Sequence, residues 1–320
     1  MSTSLLSSAD VASALDLESA LAAVERTYAE TARGRVVNPS KLGMHLGDDG
    51  EWPHLNAFAI DMPAYVGWLD VAGTKWAVAT WDADAEPISA LMVLFDLKDR
   101  RFTAVMEGMH LTGVRTALQT VVGVQELMKG TPSTIGIIGA GFQGDYQVEI
   151  IDALLDTDEI RVYDIDYADA VSLVEQHQQT TAADLVACET VGTAAECEVV
   201  VTVTDAREPV VEAEDVADTS LLVALGTYQE LPNKTILGAE RIIVDHREQC
   251  LKRGALAGLA ERGELGPADI DATIGEVVAN NGAASGDRTV FAPLGLGSLD
   301  VAVAEHVRTA ATDTKTFAFD

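Results

Sequence analysis

Basic residues are scarce in this chain. Among 320 residues there are 21 lysines and arginines against 51 aspartates and glutamates, a formal net charge of −30, and only seven of the bases are lysine. A surface of that sign repels nucleic acid and anionic membranes, so neither is expected as a partner. Cysteine is sparse as well. Cys188, Cys197 and Cys250 have no metal-ligand spacing and are too few for a disulfide framework, which leaves plain buried or semi-buried thiols. The six histidines show neither metal nor triad spacing, so no metal site is expected. No apolar run reaches the length of a membrane span, and the first residues lack a basic segment followed by an apolar core. The expectation is a soluble, cytoplasmic protein. The acids are spread along the chain, at 48–49, 152–159, 212–218 and 261–271, and 48% of residues are hydrophobic, which is not the composition of disorder. This pattern reads as a folded protein adapted to high salt, where self-repulsion is screened. An ordinary acidic cytosolic enzyme is the alternative.

Against that background one stretch organises the chain: Ile135-Gly136-Ile137-Ile138-Gly139-Ala140-Gly141-Phe142-Gln143-Gly144. An apolar strand, 134–138, breaks into glycines at G-x-G-x-x-G spacing and runs into an amphipathic helix, 145–155, with Val148, Ile151 and Leu155 on one face. A second strand, 160–163, ends at Asp164, 25 residues after Gly139. This is the dinucleotide-binding pattern. Gly139 permits the tight turn, Gly141 lets a pyrophosphate approach the backbone, and Gly144 lets helix and strand pack closely. The helix start offers N–H groups to phosphate, and Phe142 and Gln143 within the glycine loop are counted with the cofactor residues. Asp164 would accept from a ribose 2′-OH and repel a 2′-phosphate, which favours NAD over NADP.

Before this stretch, residues 7–33 read as one helix, capped at Ser8 and stopped at Gly34. Residues 35–110 read as strands at 55–60, 65–71, 76–81, 89–95 and 102–106, separated by turn residues. All four tryptophans (Trp52, Trp68, Trp76, Trp81) fall here. Core packing explains most of them, and a β-rich domain that shapes a pocket is also consistent. A helix spans 110–128. After Asp164, strands at 185–187, 198–204, 220–225 and 241–244 alternate with other elements, which implies a mostly parallel, doubly wound sheet. Residues 205 to about 287 read as polar and helical, and a last helix covers 299–309.

In so acidic a protein, Lys41, Lys75 and Arg115 stand out. Lys75 lies in Ala72-Gly73-Thr74-Lys75-Trp76, an apolar setting that lowers an ammonium pKa toward neutrality and suits it to proton transfer. For each of the three a solvated surface charge is the alternative.

The ordered set Met62-Pro63-Ala64, Gly73-Thr74-Lys75, Thr112-Gly113-Val114-Arg115-Thr116-Ala117, Gly139–Gly144, Val201–Thr204 before Pro209, and Gly297–Asp300-Val301-Ala302 resembles the ornithine cyclodeaminase/mu-crystallin family over nearly the whole chain. The resemblance implies an α/β fold, a doubly wound Rossmann domain for NAD (119–290) inserted in a β-rich α+β substrate and dimerisation domain (1–118 with 291–320), and a homodimer. It implies Lys75 as the pocket lysine, Arg115 as the residue that binds the substrate carboxylate and touches the cofactor, and Lys41 in place of a second carboxylate-binding arginine. It sets Thr116, Thr204 and Gly226 with Asp164 and the glycine loop as cofactor residues, and Tyr228 with the substrate. The implied reaction is NAD-dependent oxidoreduction of a small amino or imino acid, as in alanine dehydrogenases and ketimine reductases. Ornithine cyclisation with loss of ammonia, or a non-catalytic cofactor-binding homologue, are the alternatives. The chain also departs from the family. Where cyclodeaminases carry an aspartate it reads Thr227-Tyr228-Gln229, with Glu230 the nearest acid, and Pro293 stands where a serine is common.

Overall fold

The computed structural model describes residues 2–47, 52, 57–80, 88–216, 218–280 and 288–318. The chain opens with strand β1 (Ser2–Leu6), then helices α1 (Ser8–Ala14) and α2 (Leu17–Ala32). The single helix expected over 7–33 is thus two. Asp16 interrupts it by capping α2, its side chain accepting from the Ser19 N–H, because a short acid satisfies orphan helix donors. The α1 cap is Ser7, reciprocated by Asp10, one residue before the expected Ser8. Gly34 does stop α2, at φ +71°.

Strands β2 (Val36–Val37), β3 (Leu42–Leu46), β4 (Ala57–Val66), β5 (Val71–Thr80), β6 (Ile88–Asp96) and β7 (Arg101–Glu107) follow, and α3 (Met109–Leu127) leaves them. The strand expected over 65–71 is broken by the β4–β5 turn at 67–70, with Tyr65 and Val66 ending β4 and Val71 opening β5, and Asp70 in the turn takes a positive φ of 56°. Asx residues tolerate that conformation. Leu55, His54 and Trp81 lie outside the described residues. Trp52 is exposed and Trp76 is half exposed, so core packing does not account for either. Trp68 carries the Arg26 guanidinium 4.2 Å from its ring centroid.

The chain forms two compact units, Met1–Arg115 with Leu296–Asp320, and Thr116–Gly295. The second is built on β8 (Thr134–Ile138), α4 (Phe142–Leu154), β9 (Glu159–Tyr163), α5 (Tyr167–His177), β10 (Asp184–Ala187), α6 (Val191–Ala195), β11 (Val199–Thr202), β12 (Leu221–Ala224), α7 (Asn233–Leu237), β13 (Arg241–Val244), α8 (Arg247–Cys250), α9 (Ala257–Glu261), β14 (Ala272–Thr273), α10 (Ile274–Ala279) and β15 (Thr289–Phe291). Strands β12 and β13 fall on the expected 220–225 and 241–244, while β14 lies in the stretch expected to be polar and helical. Its sheet has the order β10-β9-β8-β11-β12-β15-β13-β14, parallel throughout. The β11 and β12 residues are all buried, as expected where helices cover both faces. Strand order reverses between β8 and β11, the switch point where such sheets bind ligands beyond their carboxyl ends.

The chain then re-enters the first unit with α11 (Gly297–Ala310) and β16 (Lys315–Ala318). There the sheet order is β16-β1-β7-β6-β5-β4-β2, with β3 also on β4. Helix α11 packs across β4, β5 and β6. A Cβ on Gly73 would lie 3.0 Å from Val301 Cγ2, so glycine sets how closely helix and sheet approach. Neither β1 nor β16 is foreshadowed by the sequence. They are short and complete the sheet through each other and through β7.

Candidate active site

In the second unit the glycine loop is shaped by sterics. Gly139 has φ +118°, and a Cβ there would sit 2.8 Å from the Val203 carbonyl. A Cβ on Gly144 would sit 2.2 Å from the Gly139 carbonyl. Gly141 differs, because its Cβ position has no atom within 4 Å. It is the N-cap of α4 and makes no side-chain cap bond, so the loop leaves open space in front of a helix N-terminus. Asp164, at the end of β9, accepts from the Ala140 N–H at 2.7 Å through Oδ2 and from the Asp166 N–H at 3.1 Å through Oδ1. Gln143 keeps a buried side-chain oxygen with no donor among the described residues. Phe142 is partly exposed, its ring 5.1 Å from that of Tyr146. Open space beside Gly141 at a helix start, with a carboxylate nearby, is compatible with a dinucleotide.

Beyond the ends of β11 and β12, one side chain ties several residues together. Glu230 is fully buried. Its Oε1 accepts from the Thr204 N–H (2.6 Å) and Thr204 hydroxyl (2.8 Å), and its Oε2 from the Gly226 N–H (2.7 Å) and Thr202 hydroxyl (2.9 Å). A Cβ on Gly226 would fall 2.4 Å from that carboxylate. Burial pushes the Glu230 carboxyl upward while the four donors pull it down, with burial the larger. Both carboxylate oxygens are thus taken up in holding Thr202, Thr204 and Gly226 in place. Tyr228 is itself partly exposed, with the Arg207 guanidinium 5.3 Å from its ring.

In the first unit, strand register explains the setting of Lys75. Pairing places Met62, Lys75, Met92 and Met106 side by side on four adjacent strands. All four are at most 2% exposed. The neighbouring row, Leu42, Asp61, Trp76, Leu91 and Glu107, points to the opposite face. Lys75 thus occupies a methionine row beneath α11. An ammonium there requires a partner, and α11 supplies Asp300, a carboxylate with no exposure. Asp300 Oδ1 accepts from Lys75 Nζ at 2.9 Å and from Arg115 Nε at 2.9 Å. Asp300 Oδ2 is buried with no donor among the described residues.

The charges follow from this geometry. Burial, then the Arg115 charge, lowers Lys75 from its ordinary 10.5 to about 8, with Asp300 opposing. Burial alone would raise the Asp300 carboxyl, but Arg115 and Lys75 outweigh it and hold it below the ordinary carboxylate range. The result is a lysine that changes charge near neutrality, attached to an arginine through one oxygen atom. Thr116 follows Arg115 on α3 and is also buried. Lys41 lies one residue before the first β3–β4 pair, Leu42 with Asp61, and so next to the row of Met62 and Lys75. Sequence reading did not give Asp300 a role. The available signal was a lone acid among Leu299, Val301, Ala302 and Val303.

A parallel doubly wound unit carrying a glycine loop, in a chain whose other, largely antiparallel unit holds a buried Lys–Asp–Arg cluster, is the build of a nucleotide-dependent enzyme. The chain belongs to the ornithine cyclodeaminase/mu-crystallin family, whose sequence profile matches residues 1–315. It is 31% identical over 317 residues to alanine dehydrogenase of Archaeoglobus fulgidus, covering 96% of this chain and 94% of that protein. It is 30% identical over 258 residues to mouse ketimine reductase mu-crystallin, covering 77% and 78%. An archaeal alanine dehydrogenase dimer with bound NAD superposes with a TM-score of 0.89 at 29% identity, covering all of both chains.

Proposed function

We propose that the chain is an NAD-dependent oxidoreductase that interconverts a small amino acid with its imino or oxo acid. The observation that carries this reading is the buried Lys75–Asp300–Arg115 cluster in a chain that retains the whole dinucleotide loop. Gly139, Gly141, Phe142, Gln143 and Gly144 would hold the pyrophosphate, and Asp164 the ribose diol. Thr116, Thr204 and Gly226 would border the rest of the cofactor. Bound NAD supplies hydride exchange with the substrate α-carbon. Arg115 and Lys41 orient the substrate carboxylate, with Tyr228 beside the substrate. Lys75 donates or accepts the proton at the substrate nitrogen or oxygen. The commitment of Glu230 to four donors favours this over ornithine cyclisation, which needs an acid near Tyr228.

A homodimer belongs to the same reading. Trp76 and Leu91, paired across β5 and β6 and each 51% exposed, and Leu42, 64% exposed in the same row, form an apolar outer face suited to a second copy. The high-salt assignment rests on the net charge. The functional test is a panel of amino acids with NAD, and of 2-oxo acids with NADH and ammonia or methylamine, followed by NADH absorbance in molar KCl. Net NADH change with at least one small substrate supports the dehydrogenase. Ammonia release from ornithine without net NADH change would replace it with cyclodeamination.

A further inference from the structure

The first turn of α11 carries Asp300, yet the helix begins without a cap of its own. Its N-cap residue is Leu296, which makes no side-chain cap bond. Leucine has no acceptor for the N–H groups that a helix start leaves unpaired. One of those groups is satisfied from far away in sequence. The Ser298 N–H donates to Asn38 Oδ1 at 2.9 Å, across 260 positions.

Asn38 belongs to the short link 38–41 between β2 and β3. Val37 pairs with Tyr65 and Leu42 with Asp61, so both strands lie on β4 and the link passes Met62, Pro63 and Ala64. Pro63 has no N–H to give a neighbouring strand, and there the edge leaves the ladder. Pro39 fixes its own φ and disfavours helical backbone at Asn38, which narrows the directions the amide can take. The same part of β4 meets the start of α11, since a Cβ on Gly297 would lie 2.5 Å from the Met62 carbonyl oxygen. Link, strand and helix start all belong to the first compact unit.

We propose that Asn38 is a positioning residue for Lys41: by capping α11 from outside, it fastens the link that carries Lys41 to the helix that carries Asp300. The role rests on the functional reading above, in which Lys41 orients the substrate carboxylate. The tether fixes the backbone path at 38–41, whatever else the Lys41 ammonium touches. Two residues after Ser298, Asp300 accepts from Lys75 at 2.9 Å. A carboxylate held by Lys41 is therefore registered against Lys75 through Asn38, Ser298 and Asp300. Without the amide the link loses this anchor, and substrate binding has to order it. That weakens binding and leaves the chemical step alone once substrate is in place.

The test is a double-mutant cycle on the full chain, with NADH, ammonia and the 2-oxo acid that the panel above selects. Lys41→Met removes a charge-assisted contact and should raise KM about tenfold or more. Asn38→Ala should raise KM about three- to tenfold, with kcat and NAD affinity within about twofold. In the Lys41→Met background, Asn38→Ala should change KM by less than about twofold, because the residue it acts through is gone. An effect of Asn38→Ala that survives in full without Lys41 overturns the proposal, as does an unchanged KM in Asn38→Ala when Lys41→Met raises it. Should Asn38→Ala fail to fold, Asn38→Ser, with a side chain one bond shorter, is read in the same cycle. Amide hydrogen exchange reads the tether without turnover. Peptides covering 36–42 and 297–300 should exchange about five- to tenfold faster in Asn38→Ala, and equal exchange would sink the role of Asn38 alone. An unchanged KM in Lys41→Met, or no turnover with any substrate, would instead fail the functional reading and the role of Asn38 with it.

Discussion

Replacing Lys75 by methionine separates chemistry from packing, because methionine is what the row already uses at positions 62, 92 and 106. A positioned acid–base group contributes roughly 10²–10⁴-fold, so kcat should fall by that factor in Lys75→Met. The pH dependence follows from a pKa of about 8. On the proposed role, Lys75 accepts a proton in amino-acid oxidation, so its neutral form is required. The rate constant kcat/KM should rise about tenfold per unit up to pH 8 and then level. At pH 7 only about one-tenth of the enzyme would be in the active form. In the reductive direction the charged form is required, and kcat/KM should fall above pH 8. Lys75→Met should lose this inflection. NAD affinity should stay within about twofold, because the glycine loop and Asp164 belong to the other unit. Steady-state kinetics from pH 6 to 10, alongside an NAD titration on folded variant, measure all of this. An inflection that persists near pH 8 in Lys75→Met, or near-normal turnover, would refute the assignment.

Other expectations are open to simple measurement. Asp164→Ser should weaken NAD and relax discrimination against NADP, since its carboxylate is the proposed partner of the ribose diol; equal NAD and NADP affinities in the unaltered protein would contradict this. Glu230→Gln should lose about 1–3 kcal/mol of stability, read by denaturant unfolding, because an amide turns an N–H toward a backbone N–H of Thr204 or Gly226. It should leave the pH inflection in place, and a displaced inflection would make Glu230 a proton-transfer group after all. The thermal midpoint should climb as KCl is raised from low to molar concentration, as 51 acids against 21 bases are screened; a flat or falling midpoint would remove the high-salt reading.

The dinucleotide unit was legible because its signals are local. Strand, glycines, helix and acid lie within one stretch of sequence, and Gly139 and Gly144 have steric reasons visible at short range. The buried apolar runs at 199–202 and 221–224 likewise report central parallel strands directly. The antiparallel unit was less legible. Its β4–β5 turn interrupts a run that still alternates well enough to pass as a strand, and β1 and β16 depend on partners far away in sequence. The helix break before α2 turns on one side-chain bond from Asp16. The candidate site was half visible for the same reason. Lys75 and Arg115 stand out in a chain with few bases, but the acid that joins them lies 225 residues beyond Lys75. Glu230 was visible as an acid near Tyr228, whereas its use as an acceptor for four donors is a property of the folded strand ends.

The position of Lys75 carries a cost that points to chemistry. Its folded pKa, about 8, lies below the ordinary 10.5, so the charged form is disfavoured in the folded protein. At 1.36 kcal/mol per unit, this is about 3 kcal/mol of destabilisation. The penalty is fully present below pH 8 and is relieved as pH rises from there toward 10.5, the range in which the unfolded chain binds the extra proton. Asp300 limits the penalty without removing it. A methionine in that row would match its three neighbours in shape and polarity and would carry no such cost. Pairing for stability alone does not explain the arrangement, because buried ion pairs seldom outperform well-packed apolar groups. A lysine held where it titrates near neutrality, and tied by one oxygen to an arginine, is what the proposed reaction, a proton moved beside a bound carboxylate, would use.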